Sequence, residues 1–298
     1  MCGIVGLYLK DPALRGRLGS YFGPMLAEMT DRGPDSAGFA VYRDDEAAEA
    51  KACLYDPDER FDWASVADAM AADLGVAIAW DRHSTHAVLR GKASAGAMRD
   101  WLLRNRPDAR VMSTGTSLEI YKEIGLPADV MDRFGVPQMT GSHMIGHTRM
   151  ATESAVTTEG AHPFNTGEDL CLVHNGSLSN HESLKRNLRR EGLHFQTQND
   201  SEVAAGYLAW RLGQGASLDE ALEAGLKDFD GFYTFTVGTR TGFAVIRDPI
   251  ACKPAVLAET DQWVAMASEF RALARLPGVE DATVWEPKPA TIYSWGQA

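Results

Sequence analysis

A cysteine directly after the initiator methionine is the residue of this chain that most clearly suggests covalent chemistry. Removal of Met1 would leave Cys2 with a thiol and a free α-amine on the same carbon. Because a free α-amine has a pKa of about 7.7–8.0 and a cysteine thiol one of about 8.5, the amine could serve as the base for its own thiol near neutral pH. The apolar run over residues 4–9 predicts a buried strand that would hold this nucleophile still. A cysteine at this position also arises by chance, so the hypothesis needs support from other motifs.

A second candidate lies where a predicted strand over residues 170–174 runs into Asn175 and Gly176. The ordinary interpretation of Asn-Gly after a strand is a type I′ turn. The functional interpretation is an oxyanion hole, since an Asn side-chain amide and a neighbouring backbone N–H can converge on a developing negative charge.

Two charged residues would suit the two ends of an α-amino acid. Arg149 follows a predicted buried strand, where an arginine is usually an ion-pair partner, but its planar fork also suits a substrate carboxylate. Asp200 precedes a predicted helix, where it is most simply an N-cap, but it could equally bind an ammonium group.

The composition argues against several kinds of partner. The 298 residues include 29 Lys and Arg and 41 Asp and Glu, a formal net charge of −12, which disfavours nucleic acid and anionic membranes. No apolar stretch approaches the roughly 20 residues that span a bilayer and no leader sequence is apparent, so we expect a cytoplasmic protein. The four cysteines form no CxxC pair. His83 and His86 beside Asp81 are more simply exposed loop residues than ligands, so we expect no metal site.

Strand-like, then helix-like, then strand-like segments follow one another along the chain. This order predicts an α+β protein with two sheets sandwiched between helical layers. Residues 56–140 differ in texture and predict a small α/β module inserted into a domain that spans 1–298. Its apolar spacing predicts helices near 62–74, 94–105 and 117–124 and strands near 76–80, 86–90 and 110–113.

Five motifs stand in order outside this module. They are C-G-I-V-G over 2–6, R-G-P-D-S-A-G over 32–38, G-H-T-R-M-A-T over 146–152, H-N-G over 174–176 and D-S-E over 200–202. Together they resemble the class II glutamine amidotransferases of the N-terminal nucleophile hydrolase superfamily, over about 1–55 and 141–298. The resemblance implies a four-layered αββα fold and hydrolysis of the side-chain amide of glutamine.

The resemblance also implies roles for the catalytic residues. Cys2 would be the nucleophile and its own α-amine the base. Asn175 and Gly176 would form the oxyanion hole. Arg32 would lie near the nucleophile and support the site.

Further residues match the family's substrate-binding positions. Arg149 would hold the carboxylate of glutamine and Asp200 its ammonium group. Thr152 and His162 match the loop that closes over glutamine. Many relatives have tryptophan where Met150 stands, and that tryptophan can act as a gate, so the departure leaves gating open.

The long insertion is similar to that of stand-alone subunits related to glutamate synthase, including the amidotransferase subunit of N-methylglutamate synthase. Trp101, Leu102 and Leu103 lie on a predicted helix of the module and could pack either on its core or on a partner. We expect the module to dock on the partner, with plain surface decoration as the alternative, because ammonia released into water would be lost.

The resulting expectation is a glutaminase subunit that passes ammonia to a synthase partner in a hetero-oligomer. We expect no cofactor in this chain, since it carries no flavin or nucleotide motif; flavin and iron–sulfur centres would belong to partner subunits. Two alternatives stay open. One is a self-contained hydrolase of another γ-glutamyl amide, and the other is a regulatory subunit that binds glutamine without turning it over.

Overall fold

The computed structural model describes residues 2–43, 49–151 and 155–296. Numbered in chain order within those residues, the strands are β1 (Gly3–Leu9), β2 (Ser36–Tyr42), β3 (Ala50–Tyr55), β4 (Ile78–His83), β5 (His86–Gly91), β6 (Arg110–Gly115), β7 (Leu118–Ile124), β8 (His143–Arg149), β9 (Phe164–Gly167), β10 (Leu170–Leu178), β11 (Gly231–Thr239), β12 (Gly242–Arg247), β13 (Val256–Glu259), β14 (Trp263–Ala267), β15 (Thr283–Trp285) and β16 (Ile292–Gly296). The α-helices are α1 (Leu18–Ala27), α2 (Trp63–Leu74), α3 (Ala95–Asn105), α4 (Pro127–Phe134), α5 (His181–Arg190), α6 (Asp200–Gly213), α7 (Leu218–Asp228) and α8 (Phe270–Leu273).

Two sheets lie face to face at the centre of the protein. The first has the strand order β15-β13-β14-β1-β8-β2-β7 and the second the order β16-β12-β11-β10-β9. Strand β10 shows how the layers arise, because successive side chains of a strand point to opposite faces. Its Cys171 and Val173 pack in one cluster with Val5 of the first sheet. Its Leu170 and Leu172 pack instead with side chains of α6 and α7.

Helices cover the outer faces of both sheets. The apolar side of α1, with Phe22, Met25 and Leu26, packs in the same cluster as the first sheet. Helices α6 and α7 cover the second sheet with residues such as Leu208 and Leu222. The result is the predicted four-layered αββα sandwich, which the structure confirms.

A third sheet, in the order β4-β5-β3-β6, accounts for most of the inserted region. Helices α2 and α3 close it with a separate core that includes Trp63, Trp101 and Leu102. This sheet extends from β3 to β6, so it begins before residue 56. Three residues of α3 were considered for docking on a partner. Trp101 and Leu102 are buried in the core of the module, and Leu103 is 45% exposed.

The helix predicted near 117–124 is wrong, because this stretch forms β7. The strand pairs with β2, from Leu118 opposite Tyr42 to Ile124 opposite Ser36. Both of its faces are buried, with apolar Ile120 and polar Glu119 alternating along the chain. Pairing with the edge of the first sheet thus outweighs the local helical spacing.

A buried ionic cluster joins the third sheet to the first. Glu119 of β7 accepts hydrogen bonds from Arg43 Nε at 2.7 Å, Lys51 Nζ at 3.1 Å and the Tyr121 hydroxyl at 2.9 Å. Burial opposes ionisation of Glu119, but Arg43 and Lys51 outweigh it and hold its pKa below the ordinary 4.5. The carboxylate therefore stays charged between the two sheets.

We expect Glu119→Gln to lower the free energy of unfolding by about 3 kcal/mol at pH 7, because the buried Lys51 and the partly exposed Arg43 would face a neutral amide. A carboxyl with a lowered pKa stabilises the protein above its ordinary pKa, and this contribution is lost as the pH falls below it. The difference in free energy of unfolding between wild type and variant, measured with urea, should therefore shrink below about pH 4.5. The exposed Glu280→Gln is the control and should cost less than about 0.5 kcal/mol. Equal stability of wild type and Glu119→Gln at pH 7 would contradict the cluster's role.

Candidate active site

Cys2 lies immediately before β1, which pairs with β8 on one side and β14 on the other. The Cys2 backbone carbonyl oxygen accepts hydrogen bonds from Arg32 Nε at 2.9 Å and from Asn175 Nδ2 at 3.1 Å. Arg32 comes from the turn after α1, and Asn175 comes from β10 of the facing sheet. The Cys2 thiol is partly exposed, and its Sγ is 3.9 Å from the carbonyl oxygen of Met150. The structure therefore brings three of the predicted catalytic residues together.

Arg32 is fixed by a residue that the sequence did not single out. Its Nη1 forms an ion pair with Glu269 Oε1 at 2.7 Å, and Glu269 also pairs with Arg271 at 2.8 Å. The hydrogen bond from Arg32 is the main reason that the pKa of Glu269 is lowered. The preceding Ser268 exchanges two hydrogen bonds with the backbone of Ile4, each 2.9 Å long. In the sequence, the support of Arg32 is marked only by the polar residues Ser268 and Glu269 directly after the apolar strand β14.

Asn175 and Gly176 lie inside β10, opposite Thr234 and Tyr233 of β11. The type I′ turn interpretation is therefore wrong. Gly176 has a φ of +152°, and a Cβ there would lie 2.0 Å from the backbone oxygen of Phe232. Only glycine fits this close approach of β10 to β11, one residue after Asn175.

Arg149 is the last residue of β8 and is buried. Its Nη1 donates a hydrogen bond to the backbone oxygen of Ala155 at 3.3 Å. It lines a cavity of about 410 Å³ whose walls come from residues 155–160 on one side and from 196–199 on the other. An arginine at the wall of a cavity of this size can hold an anionic group of a small molecule.

Asp200 is the first residue of α6, and the N-cap is its neighbour Asn199, whose Oδ1 accepts from Ser201 N at 2.9 Å. The N-cap interpretation of Asp200 is therefore off by one residue. Its Oδ2 accepts from Leu178 N at 2.8 Å, and its Oδ1 is 3.6 Å from His174 Nδ1. Burial opposes ionisation of Asp200, but these contacts outweigh it, so the pKa of Asp200 is lowered and a carboxylate lies near the end of β10.

His162 lies inside the protein and does not line the cavity beside Arg149. Its Nε2 is 2.7 Å from Ser201 Oγ, which is also 2.9 Å from His174 Nδ1. Its ring stacks on His147 with centroids 4.1 Å apart. Burial lowers the pKa of His147 to about 3 and that of His162 well below 6.5, so both rings are neutral at pH 7. His162 thus links the segment before β9 to α6, and its predicted contact with glutamine stays a prediction.

Thr152, the other loop residue predicted to bind glutamine, lies outside the described residues, as does Met1. All four cysteines are free thiols. Cys53 and Cys171 are buried, and burial raises the pKa of Cys171 to about 12; Cys252 is exposed on the surface. In residues 2–43, 49–151 and 155–296, no group of three or more His, Cys, Asp or Glu side chains is arranged to hold a metal ion. None of the helices in those ranges has the length and apolar character to span a bilayer.

Comparison with known proteins identifies the family. Residues 147–275 match the model of a glutamine amidotransferase domain. The chain is 56% identical to the glutamine amidotransferase-like protein GlxB of Rhizobium meliloti, over 99% of this chain and 98% of that one. It is 32% identical to a putative glutamine amidotransferase of Methanothermobacter thermautotrophicus, over 98% and 99% of the two chains. The chain belongs to the class II glutamine amidotransferases.

Solved structures agree with this membership at the level of the fold. The amidotransferase is similar to glutamine phosphoribosylpyrophosphate amidotransferase from B. subtilis, with a TM-score of 0.62 and 22% identity, over 99% of this chain and 47% of that one. A second structure, titled as the allosteric regulatory enzyme of purine biosynthesis, gives a TM-score of 0.65 at 21% identity, again over 47% of its chain. At these identities the likeness concerns the fold alone.

We expect Gly176→Ala to destabilise this amidotransferase by at least about 2 kcal/mol, because alanine is strained at that φ and its Cβ would overlap Phe232. Urea unfolding followed by circular dichroism measures the effect. Gly213→Ala is the matched control, since a Cβ there meets no atom within 4 Å. It should be neutral or stabilising by up to about 1 kcal/mol. If both variants unfold like the wild type, Gly176 is not required by its backbone geometry.

Proposed function

We propose that this amidotransferase is a glutaminase that hydrolyses glutamine to glutamate and ammonia through a γ-glutamyl thioester on Cys2. The observation that carries the proposal is the approach of Asn175 from the second sheet to within 3.1 Å of the Cys2 carbonyl. It puts a side-chain amide donor beside the thiol that is predicted to attack. The family membership supports glutamine as the source of the amide nitrogen.

In the proposed reaction the Cys2 α-amine takes the thiol proton, and the sulfur attacks the amide carbon of glutamine. An amide nitrogen carries two hydrogens, so Asn175 can keep one on the Cys2 carbonyl while the other meets the oxyanion, together with the backbone N–H of Gly176. The ammonium group of Cys2 then gives its proton to the amide nitrogen as the C–N bond breaks, so that the nitrogen leaves as ammonia. Water, deprotonated by the same amine, attacks the thioester; the C–S bond breaks, glutamate leaves, and the proton returns to the Cys2 sulfur.

Recognition of the substrate would use one charge at each end of the amino acid. The guanidinium of Arg149 at the cavity wall would hold the α-carboxylate. The carboxylate of Asp200 would hold the α-ammonium; it already accepts from Leu178 N, but a carboxylate has about four acceptor positions. The lowered pKa of Asp200 supports this role, because the group is ionised at neutral pH.

The ammonia would pass to a synthase partner of the glutamate-synthase-related type, in a cytoplasmic hetero-oligomer. Exposed apolar side chains next to the site support such a partner. Met150 follows Arg149, Phe270 follows Glu269, and Phe232 is paired with Ser177 on the neighbouring strand; their side chains are 36%, 49% and 40% exposed. Apolar surface at the mouth of an active site favours a covering protein that keeps ammonia from water.

Cys2→Ala should abolish release of ammonia from glutamine, a loss of at least about 10⁴-fold, while leaving the circular dichroism spectrum unchanged. Cys252→Ala, which removes the other accessible thiol, is the control and should keep most activity. Mass spectrometry of the active protein should show that Met1 is absent, since the α-amine of Cys2 must be free. Substantial turnover by Cys2→Ala, or an active protein that retains Met1, would contradict the mechanism.

Arg149→Lys and Asp200→Asn should each raise the KM for glutamine by about 10- to 100-fold, because a charged hydrogen bond contributes about 1.5–3 kcal/mol. Steady-state ammonia release gives KM, and thermal unfolding reports on the fold. Asp230→Asn is the control, since its carboxylate is exposed at the surface and accepts a hydrogen bond from the Ser179 hydroxyl at 2.7 Å. Normal KM values for both variants would show that the two ends of glutamine are held by other groups.

A further inference from the structure

Lys122 of β7 is a buried cation outside the family motifs. It is 4% exposed, and its Nζ donates to the backbone oxygens of Glu159 at 3.1 Å, Ala161 at 2.8 Å and Pro163 at 3.2 Å. An ammonium group has three donors, so one side chain satisfies three carbonyls of the same short segment. The ring of Phe164 lies under the same nitrogen at 4.5 Å. These three carbonyls belong to the stretch of residues 155–163 before β9, here named the 155–163 segment.

Glu123, the next residue of β7, holds the same segment at another point. Its Oε1 accepts a short hydrogen bond from the Thr158 hydroxyl. Its Oε2 accepts from Thr85 Oγ1 at 3.0 Å and from Arg133 Nη1 at 3.4 Å, which fix the carboxylate. Successive strand residues point to opposite faces, and β7 is the last strand of its sheet, so the two side chains clamp the segment around that edge.

The clamped segment forms one wall of the cavity beside Arg149. Ala155, Thr157, Glu159 and Gly160 line that cavity, and Arg149 itself donates to the backbone oxygen of Ala155. The position of this wall relative to the guanidinium therefore depends on where Lys122 and Glu123 hold the backbone. Neither side chain reaches the cavity itself, so any effect on a ligand must act through the segment.

We propose that Lys122 and Glu123 are positioning residues that set the substrate wall of the cavity beside Arg149. The proposal rests on the proposed function, in which this cavity receives the carboxylate end of glutamine. The carboxylate end is remote from the amide that is cleaved. Loss of the clamp should therefore weaken binding of glutamine in the ground state and in the transition state to a similar degree. Loss of such uniform binding raises KM and leaves kcat nearly unchanged.

Lys122→Met keeps the length and apolar stem of the side chain but removes all three donors. We expect the KM for glutamine to rise at least about tenfold and kcat to change less than about threefold. Lys51→Met is the matched control, because it removes another buried lysine near β7, whose Nζ donates to Glu119 at 3.1 Å. It should reduce thermal stability while the KM of the folded enzyme stays within about twofold of wild type. A merely structural role for Lys122 would give the same pattern as this control.

A second readout does not depend on turnover. A protease that cleaves after glutamate should cut after Glu159 at least about tenfold faster in Lys122→Met than in wild type or Lys51→Met, because the segment loses its clamp. The rate at which iodoacetamide alkylates Cys2, followed on the N-terminal peptide, should not change. If Lys122→Met does not fold, Thr158→Val carries the same test, since it removes the hydroxyl that faces Glu123.

The outcomes separate this inference from the proposed function. Faster cleavage with a raised KM supports the positioning role. Unchanged cleavage overturns the clamp, and faster cleavage with an unchanged KM overturns its effect on substrate. If wild type does not hydrolyse glutamine and glutamine does not protect Cys2 from iodoacetamide, the proposed function fails, and the substrate-positioning role fails with it even where cleavage shows that the clamp exists.

Discussion

The carbonyl oxygen of Cys2 is the point on which the site depends. It accepts one hydrogen bond from Arg32, in the turn after α1, and one from Asn175, in β10 of the facing sheet. These two hydrogen bonds fix the backbone just before β1 to the turn after α1 and to the facing sheet. Both donors are in turn fixed, Arg32 by Glu269 and the backbone around Asn175 by the close approach of Gly176 to β11.

Two charged residues, the half-buried Asp200 and the buried Lys122, each have partners from a different element. Asp200 at the start of α6 meets the end of β10, and Lys122 of β7 meets the segment before β9. Burying a charge is costly unless it is paired and hydrogen-bonded, so each of these contacts fixes the relative position of two elements. The neutral histidines His147 and His162 add polar contacts in the same region without adding charge. The geometry of the site is therefore a property of the whole sandwich and not of one loop.

The order of strand-like and helix-like segments predicted two sheets between helical layers. The resemblance carried by the five motifs predicted that Cys2, Arg32 and Asn175 lie in one site. The sequence did not predict Glu269 as the support of Arg32, since an ion pair between residues so far apart leaves no pattern in spacing. The helix predicted near 117–124 was wrong, because this stretch pairs with β2, and pairing with a distant strand leaves no sign in local periodicity. His162 matched a family position, but its burial against Ser201 follows from packing that only the folded chain reveals.

The inserted region also proves to have two parts with different surroundings. The sheet from β3 to β6 closes its own core with α2 and α3, and this core contains Trp101 and Leu102. Strand β7 instead joins the sheet that carries Cys2, and its Glu119 ties the module to that sheet through Lys51. The same strand holds the 155–163 segment beside Arg149. Strand β7 therefore has direct contacts both with the module, through Lys51, and with the segment that forms the cavity wall, through Lys122.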